Sequence, residues 1–544
     1  MGEDNVTADA AQYILALDVG TTTLRGHIYD KNGVIRGTSS KKIDILHPKT
    51  GWAEMDPDVL FHQVKQVMRE SIGVHDLRKV SPSAFSCVSC CVPAAGITVQ
   101  QVKCMGMATQ RATFMTWDRE TGRPFHNLIT WQDLRGAHYV RLWNQSYTLK
   151  ALNSGSKFLH VFTRKNRFLA ASVLKFMSKQ VTMRLLWVLD NYPELRKRAF
   201  EGQVMFGCID TWLLYCLTGQ KVHATDYSNA SCTGLYDPFQ VEWSKIVCNM
   251  VNIPMSMFPE VKDTSGMFGQ VHPDILGASI PITSSVADQQ GAMFGQCCYD
   301  VGDIKCTMGT GTFIDLNTGN KPHASVAGLY PIIGWKIKDE ITYLAEGLAA
   351  DTGITLEWAK SLGFFEDVTE TANIANTVED SAGVCFVPAF SGLQAPINDD
   401  RATTSLIGLT PNTTKAHIVR AILESLAFRF KVLYETMLIE TKIPLSYVRA
   451  DGGVCSNDFI MQLMSSLINT SIDRSEQPDM TSLGAAFLAG LAAGVWESKD
   501  QLRHIRKSDR VFEPQSVWPQ YKDIYRQWER AVTRSLQWYR EPDS

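Results

Sequence analysis

The chain lacks any long apolar run. Its longest apolar segments lie around Met205–Leu217 and Leu483–Trp496; the first contains Asp210, and the second is rich in alanine and glycine. Both are too short to cross a bilayer, so we interpret them as core helices. The chain also has no large excess of one charge, because its 53 lysines and arginines nearly balance its 56 aspartates and glutamates. We therefore expect no membrane span and no nucleic acid bound through bulk charge.

An even set of cysteines and a secretion signal are absent as well. Thirteen cysteines, an odd number spread along the chain, are typical of free thiols in a reducing compartment. Met1–Val6 contains no apolar core of a signal peptide, so we expect a soluble, cytoplasmic protein. Three cysteines fall in Ser81–Pro93 without a second ligand pair at zinc spacing, which favours a plain surface insertion over a metal site.

Several enzyme signatures are missing: there is no Walker A motif, no H-E-x-x-H, no G-x-S-x-G and no protein-kinase set. The chain contains instead an apolar run, Leu15–Leu17, that ends in the carboxylate Asp18 and continues into the turn Gly20-Thr21-Thr22. The amides and hydroxyls of such a turn receive phosphate oxygens, and the carboxylate holds Mg²⁺, usually through water. An ordinary hairpin with a polar turn is the alternative interpretation, and the motif alone does not decide between them.

The same arrangement returns in the second half. Val301–Asp315 is again a strand, a Gly309-Thr310-Gly311 turn and a second strand. At 544 residues the chain is too long for one core, so two large domains are expected. Strands that alternate with helices indicate the α/β class. We predict an internal duplication whose halves, residues 12–296 and 297–544, face one cleft, with the boundary between Asp288 and Val301.

Periodicity and capping signals predict the individual elements. Tyr13–Ser40 predicts two or three antiparallel strands with a turn at Asn32-Gly33. Asp56-Pro57-Asp58 predicts a helix start. The apolar stripe predicted for that helix is Val59, Leu60, Val64, Val67, Met68 and Ile72. Further predicted elements are strands at Val102–Thr109 and Thr113–Trp117, a strand that ends in Asp451-Gly452-Gly453, and helices at Arg184–Leu189, Thr211–Thr218, Ala416–Glu435 and Tyr521–Tyr539.

Two further segments suit phosphoryl transfer, which requires positioning, charge neutralisation and a base for the acceptor hydroxyl. Asp451-Gly452-Gly453 ends a strand in glycines, which let the backbone approach a flat ligand such as adenine. Ala287-Asp288-Gln289-Gln290 follows a strand that ends near Val286, and it places a carboxylate where a general base is needed.

These motifs, in this order, resemble the FGGY family of carbohydrate kinases, and within it the glycerol kinases, over Tyr13–Trp496. The matching segments are Leu17–Thr22 with Arg25, Gly51–Pro57, Thr109–Arg111, Trp131–Asp133, Asp210–Leu214, Ala287–Gln290, Met308–Phe313, Asp451–Gly453 and Leu483–Ala486. The resemblance implies two actin-like (ribonuclease H-like) α/β domains around a central cleft for ATP, Mg²⁺ and a small polyol. Because phosphate ligands come from both halves, closure on ATP is expected.

The resemblance also implies residue roles. Asp288 would be the catalytic base, and Asp18 would organise Mg²⁺ together with Asp288. The implied polyol pocket contains Arg111, Trp131, Asp288, Gln289 and Phe313, of which Trp131 and Phe313 also suit a plain core role. The implied nucleotide-binding residues are Gly20, Thr21, Thr22, Arg25, Thr310, Gly311, Gly353, Gly453 and Asn457. A homodimer is left open.

Three departures from the glycerol kinase pattern concern the substrate. Ala112 stands where a glutamate would accept from a glycerol hydroxyl, Lys179–Arg184 replaces a segment that carries a pocket tyrosine, and the segment Asn153–Ser178, rich in lysine and phenylalanine, matches poorly. A smaller departure is Glu357, where the nucleotide pocket often has glutamine. Losing one charge-assisted hydrogen bond costs roughly 1.5–3 kcal/mol. Three functions therefore stay open: phosphorylation of glycerol to sn-glycerol 3-phosphate by in-line transfer from ATP, the same reaction on another polyol or ketose, and a non-catalytic nucleotide-binding regulator.

Overall fold

The computed structural model describes residues 12–73 and 97–539, so the Ser81–Pro93 insertion lies outside the described residues. The strands are β1 (Tyr13–Val19), β2 (Thr23–Tyr29), β3 (Ile35–Lys42), β4 (Glu54–Met55), β5 (Val102–Thr109), β6 (Phe114–Asp118), β7 (Leu128–Ile129), β8 (Val204–Cys208), β9 (Ala224–Asp226), β10 (Tyr236–Asp237), β11 (Glu242–Trp243), β12 (Glu260–Lys262), β13 (Ser265–Gln270), β14 (Pro281–Ala287), β15 (Ile304–Met308), β16 (Thr312–Gly319), β17 (Tyr330–Ile337), β18 (Glu340–Ala349), β19 (Cys385–Val387), β20 (Ser405–Ile407), β21 (Val448–Asp451), β22 (Ile472–Ser475) and β23 (Ser508–Phe512).

The α-helices are α1 (Pro57–Ile72), α2 (Ala137–Gln145), α3 (Tyr147–Thr163), α4 (Asn166–Ser172), α5 (Val181–Asn191), α6 (Pro193–Phe200), α7 (Ile209–Leu217), α8 (Tyr227–Ser231), α9 (Lys245–Met250), α10 (Pro273–Leu276), α11 (Asp288–Gly295), α12 (Gly353–Ser361), α13 (Thr371–Asn376), α14 (Lys415–Thr441), α15 (Asp458–Ile468), α16 (Met480–Ala492), α17 (Lys499–Arg503) and α18 (Trp518–Ser535). None of the helices in the described ranges is long and apolar enough to cross a membrane.

Each half is built around one mixed sheet, and six strands of the second sheet repeat the topology of the first, with β17 added at one edge. The first has the strand order β13-β14-β5-β1-β2-β3, and the second β17-β18-β16-β15-β21-β22-β23. In the first, β1 pairs antiparallel with β2 and parallel with β5; in the second, β15 pairs antiparallel with β16 and parallel with β21. This repeat supports the predicted duplication and places the Asp18 turn and the Gly309 turn at equivalent positions.

Local signals explain where several elements begin and end. The Asp56 side chain accepts hydrogen bonds from the amides of Asp58 and Val59 at 2.9 and 3.0 Å, which caps α1 as predicted. Of the predicted core stripe of α1, Val59 is exposed, whereas the other five residues are buried. The placement of Val59 was wrong because, at about 100° per residue, Val59 lies on the opposite side of α1 from the buried stripe, whereas Pro57 and Leu60 in the same turn are buried.

Two predicted helices differ from the structure at their ends. α14 continues past the predicted end at Glu435 because Met437 on its last turns is still buried in the core of the second half. α18 begins three residues before the predicted Tyr521, since Pro519 is tolerated in a first helical turn. As predicted, α18 packs on the second half, where the Trp528 indole donates to the Phe386 carbonyl at 2.9 Å.

Helix α16 comes late in the chain yet packs on the sheet of the first half. Ser265, Thr283 and Ser284 of that sheet donate side-chain hydrogen bonds to carbonyls of α16 at 2.7–3.0 Å. The helix also crosses α11 so closely that a Cβ at Gly484 would lie 1.8 Å from the Gly291 carbonyl oxygen. This crossing holds α11, whose first residue is Asp288, between the two halves. The division at 296/297 stays a prediction.

Candidate active site

Asp288 lies where β14 ends and α11 begins. Its side chain is 26% exposed, and its Oδ1 lies 3.5 Å from the Nε of Arg111. The same oxygen accepts a 2.8 Å hydrogen bond from the Gln289 amide. Burial raises the pKa of Asp288, while Arg111 and the Gln289 amide oppose that rise. The carboxylate is therefore held in place and still open to the cleft, as a proton acceptor requires.

Arg111 connects the two halves of the molecule. It comes just after β5 in the first half, and its Nη1 donates to Glu346 Oε2 on β18 of the second half at 2.6 Å. Its guanidinium also lies 5.4 Å from the centre of the Phe313 ring. Burial raises the pKa of Glu346 to about 7, although the arginine opposes that rise. The Arg111 cation therefore lies next to both Asp288 and the Phe313 ring.

Asp18 ends β1 and is almost fully buried. Its Oδ2 lies 3.6 Å from an Nη of Arg25, whose Nε lies 3.8 Å from Asp479. Burial raises the pKa of Asp18 to about 7; Arg25 opposes the rise, and the charges of Asp479 and Asp288 add to it. The charge of Asp288 therefore acts on the carboxyl group of Asp18, and these are the two residues predicted to hold the metal.

The turn after Asp18 connects the predicted phosphate site to the predicted polyol pocket. The Gly20 amide donates to the Thr23 carbonyl at 3.0 Å and closes the turn. The Thr21 hydroxyl accepts from the indole Nε1 of the half-buried Trp131 at 3.0 Å. Thr22 is exposed at the tip of the turn. Trp131 therefore has a specific polar contact with this turn rather than only apolar neighbours.

The equivalent turn of the second half is formed by backbone in close contact. The Gly309 amide donates to the Gly311 carbonyl at 2.9 Å, and the Gly353 amide donates to the Gly309 carbonyl at 3.0 Å. A Cβ at Gly353 would lie 2.6 Å from that carbonyl oxygen, so only glycine lets the start of α12 approach the Thr310 turn. The structure thus brings Thr310, Gly311 and Gly353 together at one turn.

Gly453 and Asn457 follow β21 in the second half. The space around Gly453 is open, whereas its neighbour Gly452 has a φ of +94° and packs against the Met308 carbonyl. Asn457 caps α15, where its side chain accepts from the Ile460 amide at 3.1 Å and donates to Thr371 at 2.9 Å. Both polar groups of Asn457 thus have protein partners, so this side chain positions the start of α15.

Sequence reasoning missed an ion pair beneath Gln289. Lys305 on β15 and Asp315 on β16 are fully buried and 2.8 Å apart. Lys305 also donates to the Gln289 side-chain oxygen at 2.7 Å and to its backbone carbonyl at 3.2 Å. The signal was a charged residue inside each of two apolar strands, Ile304–Met308 and Thr312–Gly319. The pair fixes the residue next to Asp288 from the opposite half.

The residues present fit a Mg²⁺ ion that arrives with phosphates. The negative charge of Asp288 adds to the rise in the pKa of Asp18, and a cation bound by these carboxylates would oppose that rise. Within residues 12–73 and 97–539 no group of three or more histidine, cysteine, aspartate or glutamate side chains could hold a metal. Mg²⁺ keeps several waters and binds through one or two carboxylates plus substrate phosphates, which matches this donor set.

We expect Asp18→Asn to raise stability in a pH-dependent way. The folded pKa of Asp18, about 7, lies above the unfolded value near 3.8. Between these pH values the folded state keeps a proton that the unfolded state has released. Ionisation of the buried carboxylate therefore lowers the stability as the pH rises, and the full penalty is reached above pH 7. Asparagine removes that cost, so the variant should gain on the order of 2 kcal/mol at pH 8 and almost nothing at pH 4. Thermal unfolding at the two pH values measures this.

Asp210→Asn is the matched control, since burial also raises the pKa of Asp210 to about 7. Its carboxylate accepts from Thr225 in the first half, away from the two turns. It should show a similar pH trend, whereas only Asp18→Asn should weaken binding of Mg²⁺ and ATP. A gain for Asp18→Asn that is equal at both pH values would contradict the raised pKa.

Two of the departures noted in the sequence, Ala112 and the segment Lys179–Arg184, are in contact. Ala112 is buried with a φ of +58°, and its carbonyl accepts from Arg184 at 2.9 Å. Arg184 is fully buried and is bonded to backbone carbonyls that include those of Thr130 and Lys179; in the described part of the chain no carboxylate pairs with it. Burial lowers the pKa of Arg184 to about 10. Lys179 places its Nζ 5.8 Å from the Trp131 ring.

Comparison with known proteins identifies the family of this chain. Residues 13–295 match the N-terminal domain of the FGGY family of carbohydrate kinases, and residues 304–493 match its C-terminal domain. The chain therefore belongs to the FGGY family of carbohydrate kinases. It is 50% identical over 536 residues to glycerol kinase 5 of Danio rerio, covering 97% of this chain and 98% of that protein. It is 49% identical over 527 residues to glycerol kinase 5 of Homo sapiens, covering 97% and 96%.

Solved structures show the same relationship. The crystal structure of Plasmodium falciparum glycerol kinase with ADP has a TM-score of 0.84 and 34% identity, covering 97% of this chain and 98% of that chain. The predicted resemblance to the glycerol kinases, the two-domain actin-like fold and the assignment as a glycerol kinase-like phosphotransferase are confirmed.

Proposed function

We propose that this protein transfers the γ-phosphoryl group of ATP to a hydroxyl of glycerol and forms sn-glycerol 3-phosphate. The observation that carries the proposal is Asp288, a partly exposed carboxylate held by the Gln289 amide and by Arg111, which itself contacts Glu346 and Phe313 of the second half. The names of its relatives, glycerol kinase 5 and glycerol kinase, support glycerol as the first acceptor.

In this proposal the two turns hold the phosphates from opposite sides. The amides and hydroxyls of Gly20, Thr21 and Thr22, together with Arg25, contact phosphate oxygens, and Thr310 and Gly311 do so from the second half. Gly353, Gly453 and the start of α15 behind Asn457 surround the nucleoside. Mg²⁺, held by Asp18 and Asp288 together with the phosphates, would neutralise their charge.

Asp288 accepts the proton of the acceptor hydroxyl as that oxygen attacks the γ-phosphorus in line with the leaving ADP. Arg111 orients both the carboxylate and the polyol, while Phe313 and Trp131 form the walls of the pocket. Gln289 accepts a hydrogen bond from Lys305 and thereby holds the start of α11 against the second half. Closure of the two halves excludes water and thereby prevents hydrolysis of ATP.

A coupled assay of ADP release with millimolar glycerol tests the proposal. We expect release that requires Mg²⁺ and glycerol, with sn-glycerol 3-phosphate formed in equal amount. The second candidate function is phosphorylation of another polyol or of a ketose, and Ala112 favours it because alanine leaves more room in the pocket than a glutamate. A panel of pentitols and ketoses, assayed beside glycerol, distinguishes the two functions. A higher kcat/KM for one of these acceptors than for glycerol would replace glycerol in the proposal.

Ala112→Glu should improve glycerol binding. The introduced carboxylate would restore an acceptor for a glycerol hydroxyl, worth roughly 1.5–3 kcal/mol, so KM should fall about tenfold or more. Ala112 already has a positive φ, so the longer side chain adds little backbone strain. Ala112→Gln is the control, since it adds the same bulk without the charge. An unchanged or higher KM for Ala112→Glu would show that this position does not contact the acceptor.

A further inference from the structure

A long stretch of the first half is strongly cationic, although the chain as a whole is balanced. Residues 134–189 contain ten lysines and arginines and not one aspartate or glutamate. The whole chain has a net charge of only −3. The stretch includes α2, α3, α4 and most of α5, so its charge is concentrated on one region of the surface. Bulk composition therefore conceals a local basic surface.

Helices α2, α3 and α4 of this region bury little of their surface, whereas α5 is part of the core. Neither α2 nor α4 contains a buried residue, and the 17-residue helix α3 buries only Leu149 and Ser156. A helix of this length normally buries a full apolar stripe. The outer side of α3 is thus free of any partner within the described part of the chain.

The outer side of α3 is apolar and aromatic. Tyr147, Phe158 and Phe162 are 91%, 64% and 70% exposed. Phe158 and Phe162 are four residues apart, and their ring centres lie 4.7 Å from each other. At 100° per residue, all three project opposite Leu149 and Ser156. We call this surface the α3 face; it comprises Tyr147, Phe158 and Phe162 with the flanking Lys150 and Lys157.

The cations around the α3 face have no anionic partners. Of the cations in residues 134–189, only two pair with carboxylates in the described part of the chain. Arg135 pairs with Glu54 and Asp133, and Arg167 pairs with Asp237. Eight of the ten form no ion pair with any described residue: Lys179, whose Nζ lies near the Trp131 ring, the buried Arg184, and six others, which are Arg141, Lys150, Lys157, Arg164, Lys165 and Lys175. Unpaired cations around an exposed aromatic pair match a basic amphipathic helix that lies in a membrane interface.

We propose that the α3 face docks on the surface of an anionic lipid bilayer, with the aromatic rings at the headgroup level and the lysines against lipid phosphates and carboxylates. Each lysine or arginine near such a surface contributes about a fivefold gain in binding. The alternative occupant, a second copy of this chain, is disfavoured by charge. A two-fold interface through the α3 face would place its cations against the same cations of the partner.

Co-sedimentation of the full chain with lipid vesicles tests this. We expect binding to vesicles of phosphatidylcholine with about 30% phosphatidylserine, none to pure phosphatidylcholine, and loss of binding at high salt. Lys150→Gln/Lys157→Gln/Lys165→Gln should lower the partition coefficient about a hundredfold, at about fivefold per cation. Phe158→Ser/Phe162→Ser should abolish binding. Phosphotransfer without vesicles should be unchanged in both variants, because neither alters the cleft.

Two matched variants serve as controls. Lys360→Gln/Lys415→Gln/Lys522→Gln removes the same charge, and Leu362→Ser/Ile439→Ser removes exposed apolar side chains, both in the second half; neither should affect binding. Equal binding to both kinds of vesicle, or equal loss in the control variants, would overturn the proposal. A different pair of results would also overturn it: the unaltered chain does not bind vesicles, and light scattering shows a dimer that Phe158→Ser/Phe162→Ser converts to monomers.

Discussion

Asp288→Asn should lower kcat for phosphoryl transfer by about a thousandfold, since a positioned general base contributes roughly 10²–10⁴ to the rate. Asparagine preserves the shape of the side chain, and its oxygen still accepts from the Gln289 amide, which donates to Asp288 at 2.8 Å. It has no basic oxygen for the proton of the acceptor hydroxyl. The coupled ADP-release assay at saturating ATP and glycerol measures the effect.

The fold should tolerate this change. Burial raises the pKa of Asp288, so a neutral replacement removes a buried charge and should leave the unfolding temperature unchanged or slightly higher at pH 8. Asp274→Asn, at an exposed carboxylate in the first turn of α10, makes the same chemical change outside the cleft and should retain full activity. Wild-type turnover by Asp288→Asn would remove Asp288 from the reaction.

Arg111→Gln is expected to affect both stability and activity. Removing the guanidinium leaves Glu346 buried without its 2.6 Å partner, and breaking such a pair costs about 3–5 kcal/mol. The unfolding temperature should therefore fall by several degrees, more at pH 8 than at pH 5, because Glu346 with a pKa of about 7 is neutral at the lower pH. The kcat/KM for glycerol should fall about a hundredfold, since a charge-assisted contact to the polyol is lost.

A second substitution separates the two effects. Arg111→Gln/Glu346→Gln removes both charges and should recover much of the lost stability, whereas kcat/KM should stay low. Arg123→Gln, at an exposed arginine without an ion pair in the described residues, is the control and should change neither quantity. If the double variant were less stable than Arg111→Gln alone, or if it regained activity, the role given to Arg111 would be wrong.

Local signals in the sequence predicted much of the fold. The strand, glycine-threonine turn and strand that recur after Asp18 and at Gly309 predicted the opening hairpin of both sheets. The Asp56 cap and the limits of β5 followed from short-range preferences. The ends of α14 depended on burial of Met437 by elements far away in the chain, which no local preference encodes.

The candidate site was predictable only where a motif carries it. Asp288, Arg111 and the two turns stood out because their neighbours form recognisable segments. Glu346 did not, since it lies in an apolar strand without a motif and becomes significant only when β18 is brought against Arg111. The Lys305–Asp315 pair was hidden for the same reason. Asn457 was predicted from a motif to contact the nucleotide, yet its polar groups contact protein, a distinction that requires coordinates.

Identification of the product tests the central claim most directly. The full chain is incubated with ATP, Mg²⁺ and millimolar glycerol, and the phosphorus NMR spectrum of the mixture is recorded. We predict a phosphomonoester signal of sn-glycerol 3-phosphate that grows in step with ADP and is absent with Asp288→Asn. Tight binding of ATP with no phosphorylated acceptor, from glycerol or from any polyol or ketose of the panel, would contradict the account and identify a nucleotide-binding regulator instead.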